Sequence, residues 1–387
     1  MENNEKKSLD LGELRREIDR IDTELVSLFS SRMRISADVA EYKRLVGMAV
    51  TDPTREAALL DRVAAMSPAE TANYTRALYS GILSLSRAYQ HTRLGTESEL
   101  IKNMKAAAAR TPKVLASNAA VACQGTAGAY SCRAAQKLFD APDIRYYAQF
   151  SDVFAAIESG ECRYGVLPIE NSTAGSVTEI YDLMSKHRFY IVRAVRLSID
   201  HCLLAKRGAK IEDIKEIVSH RHALAQCTDF LARYPHIKAV AMENTAVAAR
   251  YAAGAGAGVA AIAGADCAAL YDLDIIRKEI CDSKSNCTRF ICISKEPEIY
   301  EGADKTSLIL TIPHRPGSLS RILTRFDALS INLTKLESRP IPERDFEFRF
   351  YFDLTAPFTS PALSYLLSEL SGEVEDLRYL GTYSEIE

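Results

Sequence analysis

The sequence predicts a multidomain chain in three parts: an all-α unit, an α/β unit, and a small α+β unit of order βαββαβ. Three observations carry that expectation. Residues 11, 14, 18, 21, 25, 28, 35, 39, 42 and 46 are apolar or aromatic, a seven-residue repeat with its a and d positions filled. Beyond Pro112 short apolar runs alternate with helical patterns. Beyond residue 304 the runs follow as strand, helix, strand, strand, helix, strand. At 387 residues, 47% hydrophobic and 26% charged, the chain is long and apolar enough for two or three cores.

The first helix has Asp10 and Glu13 as a capping pair and Gly47 as its terminator. About 37 residues at 1.5 Å each span roughly 55 Å, more than one small domain hides. Asp52-Pro53 announces a second helix. SPAE at 67–70 reads as a capping box with Pro at the first helical position, opening a third helix with the stripe Leu78, Ile82, Leu85 and Tyr89. The helical unit is expected over 5–96, followed by a polar, Ala-rich helical linker over 97–112 rather than core.

In the α/β unit, 113–296, the runs VLASNAAVA, YGVLPI, IKEIVS, IKAVAM and AGVAAIA read as strands. Polar stretches follow four of them: CQGTAGAYS, ENSTAGS, SHRH and ENT. Ligands of α/β sheets gather outside the carboxyl ends of strands, so these edges are expected to line a cleft. No GxxxxGK[ST] is present, and GAGAG at 254–258 lacks the third glycine of a dinucleotide fingerprint, so it reads as a helix-to-strand turn. The last unit, 305–387, runs TSLILTI, SLSRILTRFDAL, INLTKLES, FEFRFYFDL, SPALSYLLSELS and VEDLRYLGTY.

A formal net charge of -3 gives no pull toward nucleic acid or membrane. The most apolar uncharged stretch, YAAGAGAGVAAIAGA, is too short and Gly-rich to span a bilayer. Nine scattered cysteines without CxxC or Cys/His pairing imply neither a disulfide framework nor zinc, and a reducing cytoplasm fits them. MENNEKKSLD has no apolar core of a secretory signal. His220 and His222 lack further ligands, so no metal and no cofactor is expected. Small molecules are the default partners.

Arg32 occupies an a position, the only formal charge on the helical seam, and Arg15 and Lys43 fall at e positions beside it. A single polar a residue often fixes register, and a Lys near a helix C-terminus complements the dipole. Together, however, they line one edge, and the i+4 positions of Arg32 and Lys43 are Ser36 and Gly47, not acids. They await an anion. Arg15 lies roughly 26 Å from Arg32 along the helix, so only an antiparallel second copy brings it to the same ligand. An intertwined dimer with borrowed arginines is therefore expected. Ser86 and Gln90 stand four apart on the third helix, and Asp52, Arg55 and Glu56 open the second. With cations, two carboxylates and neutral polar groups but no nucleophile, the set suits binding and orientation rather than covalent chemistry.

LRREIDRID, SSRM, EYK, TDPTRE and SRAYQ, in this order and spacing, resemble the all-helical chorismate mutases. The resemblance implies rearrangement of chorismate to prephenate. Arg15 from the partner, Arg32 and Arg55 would hold carboxylates, Lys43 and Gln90 would face the ether oxygen, Asp52 and Glu56 the ring hydroxyl, and Ser86 a carboxylate.

QGTAGAYS, PIENSTAG, SHRHALAQC and NCTRF in turn resemble prephenate dehydratase. That implies a two-lobed, periplasmic-binding-protein-like α/β fold and decarboxylating dehydration of prephenate to phenylpyruvate. Thr288 would position and hydrogen-bond the substrate, a neutral Thr being a weak acid. Arg289 and backbone donors of the Gly-rich turns would hold carboxylates, and Asn171, Ser172 and Gln226 would line the cleft. Gly125, Ser131, Gly175, His220, Thr245 and Phe290 complete the substrate-binding set implied by the family. The chain has Arg221 and His222 where the family reads Pro-Gln, which affects prephenate only if these side chains face the cleft. Arogenate is the rival substrate, and a non-catalytic solute sensor the rival from another class.

RPGSLSRILTRFDALSINLTKLESRP, 315–340, resembles the amino-acid-binding ACT module. The bland alternative is a small domain that only pairs subunits. The resemblance implies feedback inhibition by phenylalanine at Gly317, Ser318, Leu319, Asn332, Glu337, Ser338, Arg339 and Pro340. The whole reads as a cytoplasmic bifunctional enzyme of phenylalanine biosynthesis, a homodimer or higher homo-oligomer.

Overall fold

The computed structural model describes residues 10–48, 50, 52–94, 98–283, 285–342, 344, 347–371 and 374–387. The expected borders at residues 5, 96 and 97 lie outside these residues. Two compact units result. One comprises Met1–Ile101, His314–Ile331 and Pro361–Glu373; the other comprises Lys102–Pro313, Asn332–Ser360 and Val374–Glu387.

The helical unit begins with α1 (Leu11–Val46), where Asp10 caps the start by accepting the Gly12 N–H at 2.8 Å. Gly47 ends it in the left-handed region, φ 70°, and the next N–H, that of Met48, reaches the Lys43 carbonyl at 2.8 Å. Asp52 caps α2 (Pro53–Met66) by accepting the Arg55 N–H at 3.0 Å. The third helix, α3 (Ala72–Leu94), does not start at SPAE. Ser67 is used up closing α2: its N–H goes to the Ala64 carbonyl and its hydroxyl to the Val63 carbonyl at 2.9 Å. Pro68–Thr71 then turn before Ala72. Helices Ser318–Ala328 and Pro361–Leu370 pack on α3 in this unit.

The heptad stripe of α1 lies open. Ala40, which lies off that stripe, is the only buried residue of α1, while Leu28 is 68% and Ile35 62% exposed. The helix α4 (Glu99–Arg110) differs from the expected polar connector: Ile101, Met104 and Ala107, three apart, form a buried face.

In the second unit the strands, in chain order, are β1 (Ala120–Gln124), β2 (Asp143–Tyr147), β3 (Tyr164–Asn171), β4 (Gly175–Ser176), β5 (Tyr190–Ser198), β6 (His201–Lys206), β7 (Glu216–His220), β8 (Lys238–Met242), β9 (Val259–Gly264), β10 (Leu273–Arg277) and β11 (Cys287–Ser294). They continue as β12 (Lys305–Thr311), β13 (Asn332–Pro340), β14 (Phe348–Thr355), β15 (Asp376–Tyr383) and β16 (Glu385–Ile386). One sheet has the order β16-β5-β11-β3-β1-β2, with β4 on β3; a second has β10-β6-β9-β7-β8. In the first, β1 runs parallel to β2 and β3 while β11 is antiparallel to β3 and β5. Apolar clusters line both sheets, and one of them is shared with Ile309, Tyr351, Leu380 and Tyr383 of β12, β14 and β15. The chain crosses between the two sheets twice, from β5 to β6 and from β10 to β11, and the Ile199 N–H bonds the Asn286 carbonyl across the two crossings.

VLASNAAVA becomes a strand only from Ala120, and β2, β5, β6 and β10 had no counterpart in the sequence reading. GAGAG is the expected turn, with Gly254 ending a helix and Val259 opening β9. The C-terminal elements come in the expected order, their strands forming an antiparallel sheet β13-β14-β12-β15. Gly381 on β15 passes β5 so closely that a Cβ there would overlap the Ile191 carbonyl oxygen.

Candidate active sites

In the helical unit Arg32 of α1 donates to Ser86 Oγ of α3, and the Ser86 hydroxyl donates a hydrogen bond to the Ile82 carbonyl at 2.8 Å. Lys43 Nζ bonds the Val50 carbonyl at 2.5 Å. Glu56 Oε2 accepts from Arg87 Nη1 at 2.6 Å. Gln90 is buried, and its Oε1 has no hydrogen-bond partner. A buried acceptor of this kind is costly unless something from outside the chain satisfies it. Arg32, Lys43, Glu56, Ser86 and Gln90 thus sit on three helices, α1 and α2 each packed on α3, with Asp52 capping α2, whereas Arg15 and Arg55 are exposed. Arg87, beside Ser86, was not singled out in the sequence; it is buried.

The second site forms where the chain crosses between the two sheets of the α/β unit. Thr288, on β11, accepts from Asn171 Nδ2, at the end of β3, at 2.8 Å. Asn171 Nδ2 also reaches Asn286 Oδ1 at 2.8 Å, and Asn286 Nδ2 reaches Gln226 Oε1 at 3.1 Å. Gln226 Oε1 lies 3.1 Å from His201 Nε2, which puts the ring proton on Nε2 and leaves Nδ1 as the acceptor facing Tyr130 Oη, 3.4 Å away. Gln226 Nε2 donates to Thr173 Oγ1 at 3.0 Å, and Thr173 donates to Asn171 Oδ1 at 2.7 Å. Amides and hydroxyls from both sheets therefore share one chain of hydrogen bonds. Burial pushes the His201 imidazole down, against the hydrogen bond to Gln226 and the charge of Asp200, so the ring is neutral at neutral pH.

Of the residues expected here, Thr288, Asn171 and Gln226 join this chain. Ser172 pins the loop beside it, donating to the Ser285 carbonyl and accepting the Cys287 N–H, both at 3.0 Å. Strand alternation turns Arg289 to the other face of β11. There it meets Asp353 Oδ2 and Glu385 Oε2 at 2.5 Å each and Tyr383 Oη at 2.8 Å. Phe290 is 2% exposed among Val121, Tyr164 and Val166.

The Gly-rich loop after β1 is clamped from the second sheet. Gly125 and Gly128 have φ 105° and 85°, and a Cβ on Gly128 would come 2.9 Å from Cys267 Sγ. Tyr271 Oη donates to the Ala127 carbonyl at 2.6 Å. The helix Tyr130–Leu138 that follows contains buried Ser131 and receives no side-chain cap from Ala129, so its first-turn N–H groups remain for a ligand. Asn244, just before Thr245, caps its helix through Oδ1, while its buried Nδ2 has no partner and lies 3.7 Å from where a Gly125 Cβ would be. Gly175, φ 80°, faces open space. His220 caps a short helix by accepting the His222 N–H at 3.4 Å, and Arg221 and His222 are exposed. Burial, followed by the charges of His222 and Arg221, holds the His220 pKa down. Asn286, His201, Tyr130, Thr173 and Asn244 are the polar residues that the sequence reading passed over.

The expected effector residues fall into two groups. Gly317, φ 80°, Ser318 and Leu319 open the helix Ser318–Ala328 in the helical unit, where Ser318 Oγ accepts from Arg321 at 3.0 Å. On β13, Glu337 accepts from Ser176 Oγ at 2.7 Å and Arg339 clasps Asp182 with bonds of 3.0 and 2.8 Å. Lys335 joins the same face through Glu170 at 2.6 Å. Asn332, Ser338 and Pro340 are exposed.

The model of the prephenate dehydratase family matches residues 121–298, and that of chorismate mutase type II matches residues 14–91. The bifunctional chorismate mutase/prephenate dehydratase of Pseudomonas aeruginosa is 31% identical over 96% of this chain and 97% of its own length. Arogenate dehydratase 2 of Petunia hybrida is 39% identical over 68% of this chain and 71% of its own. Among solved structures, a prephenate dehydratase from Arthrobacter aurescens in complex with L-Phe superposes with TM-score 0.62 at 28% identity, over 68% of this chain and 90% of that one. The two site architectures define a fused mutase and dehydratase. The chain belongs to the bifunctional chorismate mutase/prephenate dehydratase family.

Proposed function

We propose that the chain converts chorismate to prephenate in its helical unit and prephenate to phenylpyruvate in its α/β unit. The observation that carries the second step is the hydrogen-bond chain running from Thr288 through Asn171, Asn286 and Gln226 to His201. Because Thr288 Oγ1 already accepts from Asn171, its own proton is free to point at a substrate oxygen. In the reaction the C–CO₂ bond breaks, its electron pair enters the ring, and the C–OH bond breaks with the oxygen leaving as water after gaining a proton. Thr288 orients that hydroxyl, and the Gly-rich loop with the uncapped helix start at Tyr130 holds a carboxylate. Arg289 holds the back of the Thr288 strand rather than the substrate.

In the mutase no covalent step falls to the protein. Arg32, Ser86 and Arg55 hold the carboxylates, Gln90 and Lys43 face the ether oxygen as charge develops, and Asp52 and Glu56 hold the ring hydroxyl. The open stripe of α1 supports the antiparallel dimer in which a second copy delivers Arg15. We assign a mutase domain to 5–96, a linker to 97–112, a two-lobed dehydratase domain to 113–296 and a ferredoxin-like ACT module to 305–387. Phenylalanine bound at the motifs of that module acts as feedback inhibitor, a reading that the L-Phe complex of the similar dehydratase supports. No described helix is long and apolar enough to cross a membrane, and the reading places the enzyme in the cytoplasm.

The likeness to an arogenate dehydratase favours arogenate as a second substrate reading. One assay separates these. Chorismate, prephenate and arogenate are supplied in turn while prephenate, phenylpyruvate and phenylalanine are followed, with and without added phenylalanine. Turnover of none of them would sink the enzymatic reading, and arogenate turned over in preference to prephenate would replace the substrate.

A further inference from the structure

Arg87 lies on α3 between Ser86 and Gln90, and its side chain is 9% exposed. It faces two carboxylates. Glu56 of α2 takes Nη1 at 2.6 Å, and Glu369 of the helix Pro361–Leu370 stands 3.7 Å from Nε. Glu369, 2% exposed, also pairs with Arg325 of the helix Ser318–Ala328 at 3.2 Å and accepts from Tyr365 Oη at 2.7 Å. Arg325 in turn bonds Ser84 Oγ of α3 at 3.1 Å. Two cations and two anions from four helices are therefore gathered on one side of α3. Such a cluster holds its members in one arrangement, because Arg87 and Glu369 each face two opposite charges and a shift of one changes its distance to both.

We propose that Arg87 is a positioning residue of the mutase, aiming the Glu56 carboxylate, and that Glu369 sets its position from the C-terminal helices. The proposal rests on the reading of Glu56 as a group that holds the ring hydroxyl of chorismate. Two C-terminal helices, far along the chain from the mutase motifs, then form part of the mutase support. Since Ser318 and Arg325 share a helix, whatever displaces that helix reaches Glu56 through Glu369 and Arg87.

The test uses the full chain and assays the two activities separately, chorismate for one and supplied prephenate for the other. Glu369→Gln keeps the shape and removes the charge. It is expected to raise the KM for chorismate roughly fivefold to tenfold with a smaller change in kcat, the size of coupling between contacting charges. Dehydration of prephenate is expected to stay unchanged. In a Glu56→Gln background the same substitution should change mutase kinetics no further, an outcome that a merely structural role does not produce. Unchanged mutase kinetics in Glu369→Gln, or an equal loss with and without the Glu56 carboxylate, overturns the proposal. If Glu369→Gln does not fold, as its circular dichroism and thermal melting would reveal, Arg87→Lys and Arg87→Met decide. Lys must retain most of the activity that Met loses, and equal losses overturn the proposal. Wild-type protein that leaves chorismate untouched would instead sink the functional reading itself.

Discussion

Replacing Arg289 by Met separates two roles for the arginine next to Thr288. Its side chain is 10% exposed and stands 2.5 Å from both Asp353 and Glu385, themselves 13% and 6% exposed. Removing it leaves two buried carboxylates short of a cation, a loss of about 3–5 kcal/mol for a pair that is broken rather than replaced. Glu385 keeps Lys305 at 2.7 Å and Arg196 at 2.8 Å, and Asp353 keeps the Ser307 hydroxyl at 2.5 Å, so the lower end is expected. About 3 kcal/mol corresponds to a fall in Tm of roughly 6–12 °C for a domain of this size. Thermal melting is measured alongside steady-state dehydration of prephenate. A large drop in Tm is expected, with KM for prephenate little changed below the melting range. A KM raised tenfold or more with an unchanged Tm would refute it, because that is the pattern of an arginine that holds a substrate carboxylate.

The same cluster makes stability depend on acid. Burial works against the Glu385 charge, but the hydrogen bond from Lys305 and the charges of Arg289 and Arg196 outweigh it and hold the pKa below the ordinary carboxylate value. A depressed folded pKa gives stability that is fully present above the unfolded value and lost as pH falls through the folded one. Glu385→Gln should therefore flatten the fall of Tm below about pH 4.5, seen by melting across a pH series. Thr288→Val should cost only about 1 kcal/mol, since Asn171 Nδ2 keeps Asn286 Oδ1, while dehydration falls roughly a hundredfold or more. Mixing Arg15→Ala with Arg32→Ala protein under exchange should restore roughly a quarter of the mutase activity, because half the dimers carry one intact site. No recovery would remove the borrowed arginine. Gly381→Ala should weaken the chain by driving a Cβ into the Ile191 carbonyl, measured by denaturant midpoint, with an unchanged midpoint counting against the close approach.

What the sequence made legible was local. The α1 repeat, its Asp10 and Gly47 caps, and the order of the C-terminal elements are short-range patterns that appear where they were read. SPAE misled because the same Ser can close one helix or open the next, and only the fold decides. The buried face of α4 was hidden by its alanines, which read as polar filler. In the dehydratase motifs the residue types are visible in the sequence, but their facing depends on how the strand is set in the sheet. TRF treated as a unit places Thr288 and Arg289 together, whereas alternation along β11 puts them on opposite faces. His201 and Asn286 owe their place to the crossings between two sheets, a long-range arrangement with no short-range signature. Arg87 is of the same kind: its partner Glu369 is brought to it by tertiary packing alone.

Strand β16 bears on how the enzyme is made. Glu385 and Ile386 lie beside Ala194 and Val195 of β5, in the sheet that carries Thr288. At 5–20 residues per second, roughly 10–40 s of synthesis separate the two strands. Throughout that interval the β5 edge of the Thr288 sheet is open, and the Arg289 cluster lacks its last carboxylate. A nascent chain therefore carries an exposed strand edge, a template for wrong pairing, until β16 has left the ribosome. Completion of the Thr288 sheet consequently waits for β16, whereas α1 to α3 are built from residues made long before it.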